Sequence, residues 1–386
     1  MKIHSAHIYA LRIPFKNPFT HNLKNREYCD SVIVKLVADN GVSGFGECVP
    51  RPYVTGESVS SCMHRIRNTL LPILAKYDFP ENQIKKEPWT LLSEISDMLP
   101  DEGGSAVIAW NASKAAVEIA LVDCLLRYVG KSAVAILPPA RETVIYSAVI
   151  TAGPIAAVKK IAIQCKQYAV EHIKIKVGIG DDYARVAAVR EIVGDSVSLR
   201  IDANGAYDVK DALSLIRLVQ PLHIDCVEQP VPRGDIKMLA HVKADSPVRI
   251  MADESVITSG DAEALIENNA CDLFNLRISK NGGFFKVLQI ADMARQAGIG
   301  LQLGCQVGET AILSAAGRHL AAHMPDLRFI EGSYGTLLLK EDITRESIQF
   351  GHGGKAPLIT GDGLGIRVNE DVLGKYAKNT ISVPLE

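Results

Sequence analysis

Acidic and basic side chains follow the ends of short apolar runs along one long stretch of this sequence. Lys176, Asp202, Glu228, Asp253 and Lys280 succeed one another at steps of 26, 26, 25 and 27 residues. Each step is about the length of one strand, one helix and two short loops. In a (β/α) barrel, residues at the carboxyl ends of successive strands meet in the active site. We therefore expect these five side chains to share one site.

The three acids of this series have the chemistry of a metal site. Asp202, Glu228 and Asp253 offer hard oxygen ligands, and no cysteine or histidine lies among them. Such a set favours Mg²⁺, with Mn²⁺ as a second possibility, over zinc. A single acid at a strand–helix junction is commonly only a helix cap. Three acids in register on consecutive predicted strands instead favour a cation that all three bind.

The lysines have the chemistry of proton transfer. Lys174 and Lys176 share one face of a strand, because side chains alternate along it. Burial and like charge lower the pKa of a lysine, which can then act as a general base. If residues 143–150 form strand 1, Lys176 lies on strand 2 and Lys280 on strand 6, on opposite sides of an eight-stranded barrel. A metal that holds a substrate carboxylate stabilises the enediolate formed when the α proton is removed.

Size and composition exclude several other classes of protein. The chain has 386 residues, a net charge of −2 and a pI near 6.6. It therefore lacks the basic surface needed for nucleic acids or anionic membranes. The N-terminus lacks the apolar core of a secretory signal, and no run approaches a membrane span. Eight scattered cysteines without a CxxC pattern are typical of reduced, buried thiols. We expect a cytoplasmic protein with a small-molecule partner.

The chain shows two sequence patterns, one in its first part and one from residue 143, and the predicted elements should position these residues. The first 50 residues alternate like antiparallel strands, with a hairpin turn at Asn40-Gly41, and a helix is predicted over 106–129. From residue 143, eight apolar runs alternate with amphipathic segments. We predict an α/β protein with a modified (β/α) TIM-type barrel and an N-terminal α+β capping domain. The predicted segments are the capping domain at 1–130, the barrel at 131–350 and a returning C-terminal segment at 351–386.

The sequence resembles the enolase superfamily, and within it the muconate lactonizing enzyme subgroup. The motifs that carry the likeness are KIK (174–176), DANGAY (202–207), EQP (228–230), ADES (252–255) and SKNGG (279–283). The likeness extends to GFGECVPRPYVTGE (44–57) and GLGI (363–366). It implies Mg²⁺ held by Asp202, Glu228 and Asp253, an acid/base pair of Lys176 and Lys280, and an accessory Lys174. It also implies a homo-oligomer.

Further side chains are expected to support the metal site or touch the substrate. The resemblance gives Asn204 a supporting polar role beside the metal, and Glu331 matches the glutamate that muconate cycloisomerases carry on the last strand. Glu309 and Cys305 follow the seventh predicted strand, while Tyr53 and Thr20 lie in loops that close over substrate in the family.

The choice of reaction depends on the segment after the last strand. GTLLLKEDI (335–343) resembles muconate cycloisomerases, so cycloisomerisation of a muconate-like diacid is the first interpretation. The alternative is a racemase or epimerase of N-acylamino acids or dipeptides that uses two-lysine 1,1-proton transfer. Dipeptide epimerases carry an Asp-x-Asp where this chain has Gly332 and Tyr334.

Two hypotheses from other classes remain open. One is a barrel that has lost catalysis and acts as a binding module, against which the intact lysines and acids argue. The other is a metal-dependent aldolase or hydrolase, which needs a nucleophile or zinc ligands that the sequence does not show.

Overall fold

The N-terminal part of the chain forms an antiparallel sheet that the C-terminus completes. The computed structural model describes residues 1–21, 24–79 and 88–385, without the side chains of 18–21, 24, 25, 88 and 89. The strands are β1 (Ile3–His21), β2 (Lys24–Ala38), β3 (Ser43–Cys48) and β14 (Ala377–Pro384), in the order β14-β1-β2-β3. The β2–β3 hairpin turns at Asn40-Gly41 as predicted, because Gly41 adopts φ +85° and the Asn40 side chain accepts the Val42 N–H.

Helices cover one face of this sheet. They are α1 (Val59–Arg65), a π-helical turn (Ile66–Leu70), α2 (Leu71–Leu74), α3 (Pro88–Met98) and α4 (Asn111–Tyr128). Helix α4 is buried along nearly its whole length and packs on β3. A Cβ at Gly46 would lie 2.0 Å from the Ala116 carbonyl oxygen, so only glycine allows this close approach.

The centre of the chain forms an eight-stranded parallel sheet, and the predicted TIM-type barrel is confirmed. Neighbouring strands follow chain order, and the Ser147 N–H donates to the Ile330 carbonyl at 2.8 Å, which joins the first strand to the last. The strands are β5 (Ala148–Ile150), β6 (His172–Lys176), β7 (Ser198–Asp202), β8 (Ile224–Glu228), β9 (Arg249–Ala252), β10 (Leu273–Leu276), β11 (Gly300–Leu303) and β12 (Leu327–Ile330).

Amphipathic helices connect these strands, and side-chain caps set several of their starts. At Thr258 the hydroxyl accepts the Asp261 N–H at 3.1 Å, while the Asp261 carboxylate accepts the Thr258 N–H at 2.9 Å. The helices are α5 (Ile155–Gln167), α6 (Asp182–Val193), α7 (Val209–Val219), α8 (Ile236–Asp245), α9 (Ser259–Glu267), α10 (Ile278–Asn281), α11 (Phe284–Gln296), α12 (Ala311–His323) and α13 (Glu370–Tyr376). Short 3₁₀ turns lie at Ala133–Ala135, Gln220–Leu222, Gly335–Leu337 and His352–Gly354.

Two expectations about the barrel need correction. Residues 143–150 do not form one strand, because the Tyr146 N–H donates to the Gly354 carbonyl and diverts the chain. Only β5 belongs to the barrel, whereas β4 (Thr143–Ile145) pairs antiparallel with β13 (Lys355–Pro357). Lys280 lies in the one-turn helix α10, just after the sixth barrel strand rather than on it.

Other features of the chain agree with its composition. The eight cysteines are free, and all except the half-buried Cys305 are buried. No helix in the described part of the chain is long and apolar enough to cross a membrane. The residue boundaries of the three predicted segments stay a prediction.

Candidate active site

The three acids lie side by side at the carboxyl ends of adjacent strands. Asp202 ends β7 and pairs in register with Glu228, which ends β8, and Asp253 directly follows β9. The strand order places Glu228 between the other two. All three are fully buried.

The two lysines of the predicted acid/base pair contact the outer two acids. Lys176 Nζ lies 2.6 Å from Asp202 Oδ2 and 2.8 Å from Asn204 Oδ1. Lys280 Nζ lies 2.9 Å from Asp253 Oδ1, and it also donates to the Asp253 carbonyl at 2.7 Å. The two amines therefore lie on opposite flanks of Glu228.

Lys174 has a different electrostatic environment from Lys280. Its Nζ lies within 3.3 Å of Asp202, Glu228 and Glu331. Burial would lower the pKa of Lys174, but these carboxylates raise it above its ordinary value, so Lys174 is a fixed cation. Burial, reinforced by the charge of Arg277, lowers the pKa of Lys280 well below its ordinary value.

The acids respond to the same balance of burial and charge. Burial would raise the pKa of Asp202, but Lys176 and Lys174 hold it below its usual range. Burial and the neighbouring Asp202 raise the pKa of Glu228. Burial opposes the ionisation of Glu331, yet Lys174 and Arg200 lower its pKa to about 2. Glu331 is thus an ionised member of a buried charge network.

Sequence reasoning missed several side chains that surround Glu228. Asn275 Nδ2 donates to Glu228 Oε1 at 2.8 Å, and Gln302 Nε2 reaches Oε2 at 3.4 Å. The Arg277 guanidinium contacts Asp253 Oδ2 and lies 3.9 Å from Glu228 Oε1. Asn275 and Arg277 are two residues apart in the apolar run LFNLR, so period-two alternation could have placed both in the barrel interior.

Asn204 and Glu254 complete the wall beside Lys176. Asn204 adopts φ +44°, and its Nδ2 donates to Glu254 Oε1 at 3.0 Å. Burial raises the pKa of Glu254. The other carboxylate oxygen of Glu254 is buried and has no hydrogen-bond partner in the described part of the chain.

The donor set fits a hard divalent cation. Within the described ranges, no three acidic, histidine or cysteine side chains form a ready-made ligand cluster, and Lys176 and Arg277 form ion pairs with Asp202 and Asp253. Two buried carboxylate oxygens, Asp253 Oδ2 and one oxygen of Glu254, nevertheless accept no hydrogen bond from the described residues. Asp202, Glu228 and Asp253 could hold Mg²⁺ once Arg277 withdraws from Asp253.

A cavity of about 590 Å³ lies between the barrel and the N-terminal sheet, and Asp202, Glu228, Asp253 and Lys280 are not among the described residues that line it. Of the predicted site residues, Lys174, Lys176, Asn204, Glu331, Cys305 and Tyr53 line it. Glu309 and Cys305 both line a second, smaller cavity. The Glu309 carboxylate accepts the Gln306 N–H at 2.6 Å, and burial raises the pKa of Glu309 to about 8. Thr20 lies in strand β1 rather than in the expected loop, and its side chain is outside the described part of the chain.

The family follows from comparison with known sequences. A family model described as "Enolase C-terminal domain-like" matches residues 156–372, more than half of the chain. The chain belongs to the enolase superfamily. A relative with 31% identity over 379 residues, covering 97% of both chains, is the N-succinyl-L-Arg/Lys racemase of Bacillus cereus. The predicted assignment to an isomerase of this superfamily is confirmed.

Solved structures of this superfamily share the whole fold. The crystal structure of the Bacillus cereus N-succinyl Arg/Lys racemase has a TM-score of 0.88 and 29% identity, over 99% of this chain and 100% of that one. The dipeptide epimerase of Cytophaga hutchinsonii, complexed with Mg and D-Ala-L-Val, has a TM-score of 0.86 and 28% identity, with 99% and 100% coverage. The muconate lactonizing enzyme of Pseudomonas fluorescens has a TM-score of 0.86 and 27% identity, with 98% and 99% coverage.

These relatives correct the order of the two predicted reactions. The sequence relatives include an N-succinyl-L-Arg/Lys racemase and dipeptide epimerases. They support the racemase or epimerase alternative better than they support muconate cycloisomerisation. The GTLLLKEDI likeness alone had favoured the muconate reaction.

Proposed function

We propose that this protein is a Mg²⁺-dependent racemase of N-acylamino acids. The main support is that Lys176 contacts Asp202 and Lys280 contacts Asp253, which lie on either side of Glu228. A substrate held over Glu228 has one amine at each face of its α carbon. One lysine removes the α proton and the other returns a proton to the opposite face, which inverts the centre.

The buried acids and Lys174 prepare the site for a substrate carboxylate. Asp202, Glu228 and Asp253 would hold Mg²⁺, which when bound supplies the positive charge that makes the α proton acidic. Lys174 adds a permanent positive charge on the floor of the cavity, because three carboxylates keep it protonated. Glu331 fixes the position of Lys174 at 2.8 Å.

Two arginines favour a substrate that carries a second anionic group. Arg51 is 3% exposed, and its described hydrogen bonds go to carbonyl oxygens, including that of Val307 at 2.8 Å. Arg26 lies over the Tyr53 ring, and its pKa is lowered by burial and by the charge of Arg51. Both arginines line the cavity on the side of the N-terminal sheet. A succinyl-type carboxylate there would compensate two partly desolvated cations.

The same cavity is less suited to a dipeptide with a free ammonium group. The ionised carboxylate of Glu331 already forms ion pairs with Lys174 and Arg200, so its negative charge is balanced before a substrate ammonium group could bind it. Gly332 and Tyr334 provide no carboxylate at the positions after it. We therefore place N-acylamino acids ahead of dipeptides as substrates.

Proton exchange in D₂O tests this function directly. Wild-type protein with Mg²⁺ is offered both enantiomers of the N-succinyl derivatives of phenylalanine, arginine and lysine, with dipeptides and muconate as comparison. We expect loss of the α-proton NMR signal and loss of optical activity for an N-succinyl substrate. Lys176→Ala and Lys280→Ala should each retain exchange from one enantiomer while racemisation stops. Lactone formation from muconate without any α-proton exchange would refute the proposal.

The cellular setting belongs to the same proposal. We propose a cytoplasmic homo-oligomer, as the sequence and the family resemblance indicate. Free, mostly buried cysteines fit a reducing compartment. Light scattering on the purified protein measures the oligomeric state.

A further inference from the structure

The N-terminal unit holds the turn that carries Lys280. Asn111, the first residue of α4, donates from Nδ2 to the Lys280 carbonyl at 2.7 Å and to the Ile257 carbonyl at 3.1 Å. The Val49 N–H, at the end of the β2–β3 hairpin, donates to Ser279 Oγ at 3.1 Å. Both contacts are buried and hold the backbone of the turn, whereas Lys280 Nζ itself bonds to Asp253 and to the Asn275 carbonyl.

A third contact lies just beyond the same turn. Glu118 of α4 accepts the Phe285 N–H at 3.2 Å. A Cβ at Gly283 would lie 1.8 Å from Glu118 Oε2, and a Cβ at Gly282 would lie 3.0 Å from Asn111 Oδ1. The Asn111 and Glu118 side chains of α4 therefore pack directly on the backbone of the glycine pair that follows α10.

Lys176 is held in a different way. Its Nζ bonds to Asp202 and Asn204, which follow the neighbouring barrel strand, and its backbone is part of the β6–β7 ladder. Among the described residues, the hydrogen bonds of Lys176 all stay inside the barrel. Among the described hydrogen bonds, the N-terminal unit thus contacts the backbone of Lys280 but not that of Lys176.

We propose that Asn111 is a positioning residue for Lys280, so that the N-terminal unit controls proton transfer at one face of the substrate and not at the other. Asn111 touches neither the cavity nor the reacting groups; it acts through the Lys280 carbonyl. The inference rests on the proposed two-lysine function. Loss of the Asn111 donor frees the α10 turn, and a displacement of about 1 Å at a reacting group lowers a rate on the order of 100-fold.

Enantiomer-resolved deuterium exchange tests the inference. Lys280→Ala and Lys176→Ala first assign each enantiomer of N-succinylphenylalanine to one lysine. Asn111→Ala and the similarly shaped Asn111→Leu are then measured with both enantiomers. We expect exchange of the Lys280-dependent enantiomer to fall on the order of 100-fold. Exchange of the Lys176-dependent enantiomer should stay at the level of the control.

Ser113→Ala is the matched control. Ser113 lies two residues further along α4, is fully buried, and donates to Glu57 at 2.7 Å within the N-terminal unit. Its loss removes one buried hydrogen bond without touching α10. Equal slowing of both enantiomers by the Asn111 variants, or slowing of neither, would overturn the positioning role.

Amide hydrogen exchange separates this inference from the proposed function. Asn111→Ala should speed exchange in peptides covering 278–285 and leave those covering 172–177 as in Ser113→Ala. Unchanged exchange at 278–285 overturns the inference whatever the substrate. If wild-type protein exchanges no α proton while 278–285 responds as expected, the proposed function fails and the structural link between Asn111 and Lys280 stands.

Discussion

The buried carboxylate of Glu47 makes the stability of this protein depend on pH in a defined direction. Glu47 lies in β3, is fully buried, and caps α12 across the interface between the sheet and the barrel. It accepts the Thr310 hydroxyl at 2.7 Å and the Leu313 N–H at 3.0 Å. These bonds favour the ionised form, but burial is the larger effect and raises the pKa of Glu47 from 4.5 to about 7.

The sign and size of the effect follow from this shift. Since the folded-state pKa lies above the ordinary value, the folded protein binds more protons than the unfolded chain between pH 4.5 and 7. Stability is therefore greatest below that window and is lost as the pH rises through it. From pH 5 to pH 8 the loss attributable to Glu47 is about 2–3 kcal/mol.

Urea unfolding of wild type and Glu47→Gln at pH 5, 6, 7 and 8 measures this loss. Gln cannot ionise, so the unfolding free energy of wild type should fall by about 2–3 kcal/mol relative to the variant over this range. Hydrogen bonds lost by the variant are lost at every pH and cancel in the comparison. Glu142→Gln, at an exposed position, is the control. A wild-type-to-variant difference that is the same at all four pH values would refute the assignment.

Three further predictions concern the turn, the metal and the substrate. Gly283→Ala should lower the unfolding free energy by about 2–4 kcal/mol in the urea assay, because φ at this residue is +108° and the new Cβ would meet Glu118. Gly104→Ala is the control and should leave the unfolding free energy nearly unchanged, because the space around Gly104 is open. Mg²⁺ at a hundredfold excess over its Kd should stabilise wild type by about 2.7 kcal/mol in thermal unfolding; equal stabilisation of Asp253→Asn would contradict the ligand role. Arg26→Gln should raise KM about 10- to 100-fold for an N-succinyl substrate but not for its N-acetyl analogue, and equal effects would remove the anionic subsite.

The barrel and the polar residues at the carboxyl ends of its strands could be predicted from the sequence, because both depend on local patterns. Apolar runs at a regular spacing give the strands, and a polar residue at the end of each run lies at the carboxyl edge of the sheet. The expected position of Lys280 was wrong in detail for a local reason. The run DLFNLRIS reads as one strand, but Gly282 and Gly283 at positive φ end a helical turn that begins at Ile278. The strand therefore stops at Leu276.

The remaining part of the site depends on pairs that are remote in sequence. Arg200 binds Glu331 across 131 positions, and Asn111 reaches Lys280 across 169. No periodicity links such residues, because the closed barrel brings the first pair together and the packing of α4 on the barrel brings the second. The same remoteness explains why the accessory charge of Lys174 was predicted but its environment was not. A lysine two residues before a catalytic candidate looks like a second base by local rules, whereas three carboxylates from three different strands keep it protonated. Local pattern thus identifies the candidate reacting groups, and the closed fold sets the charges that surround each of them.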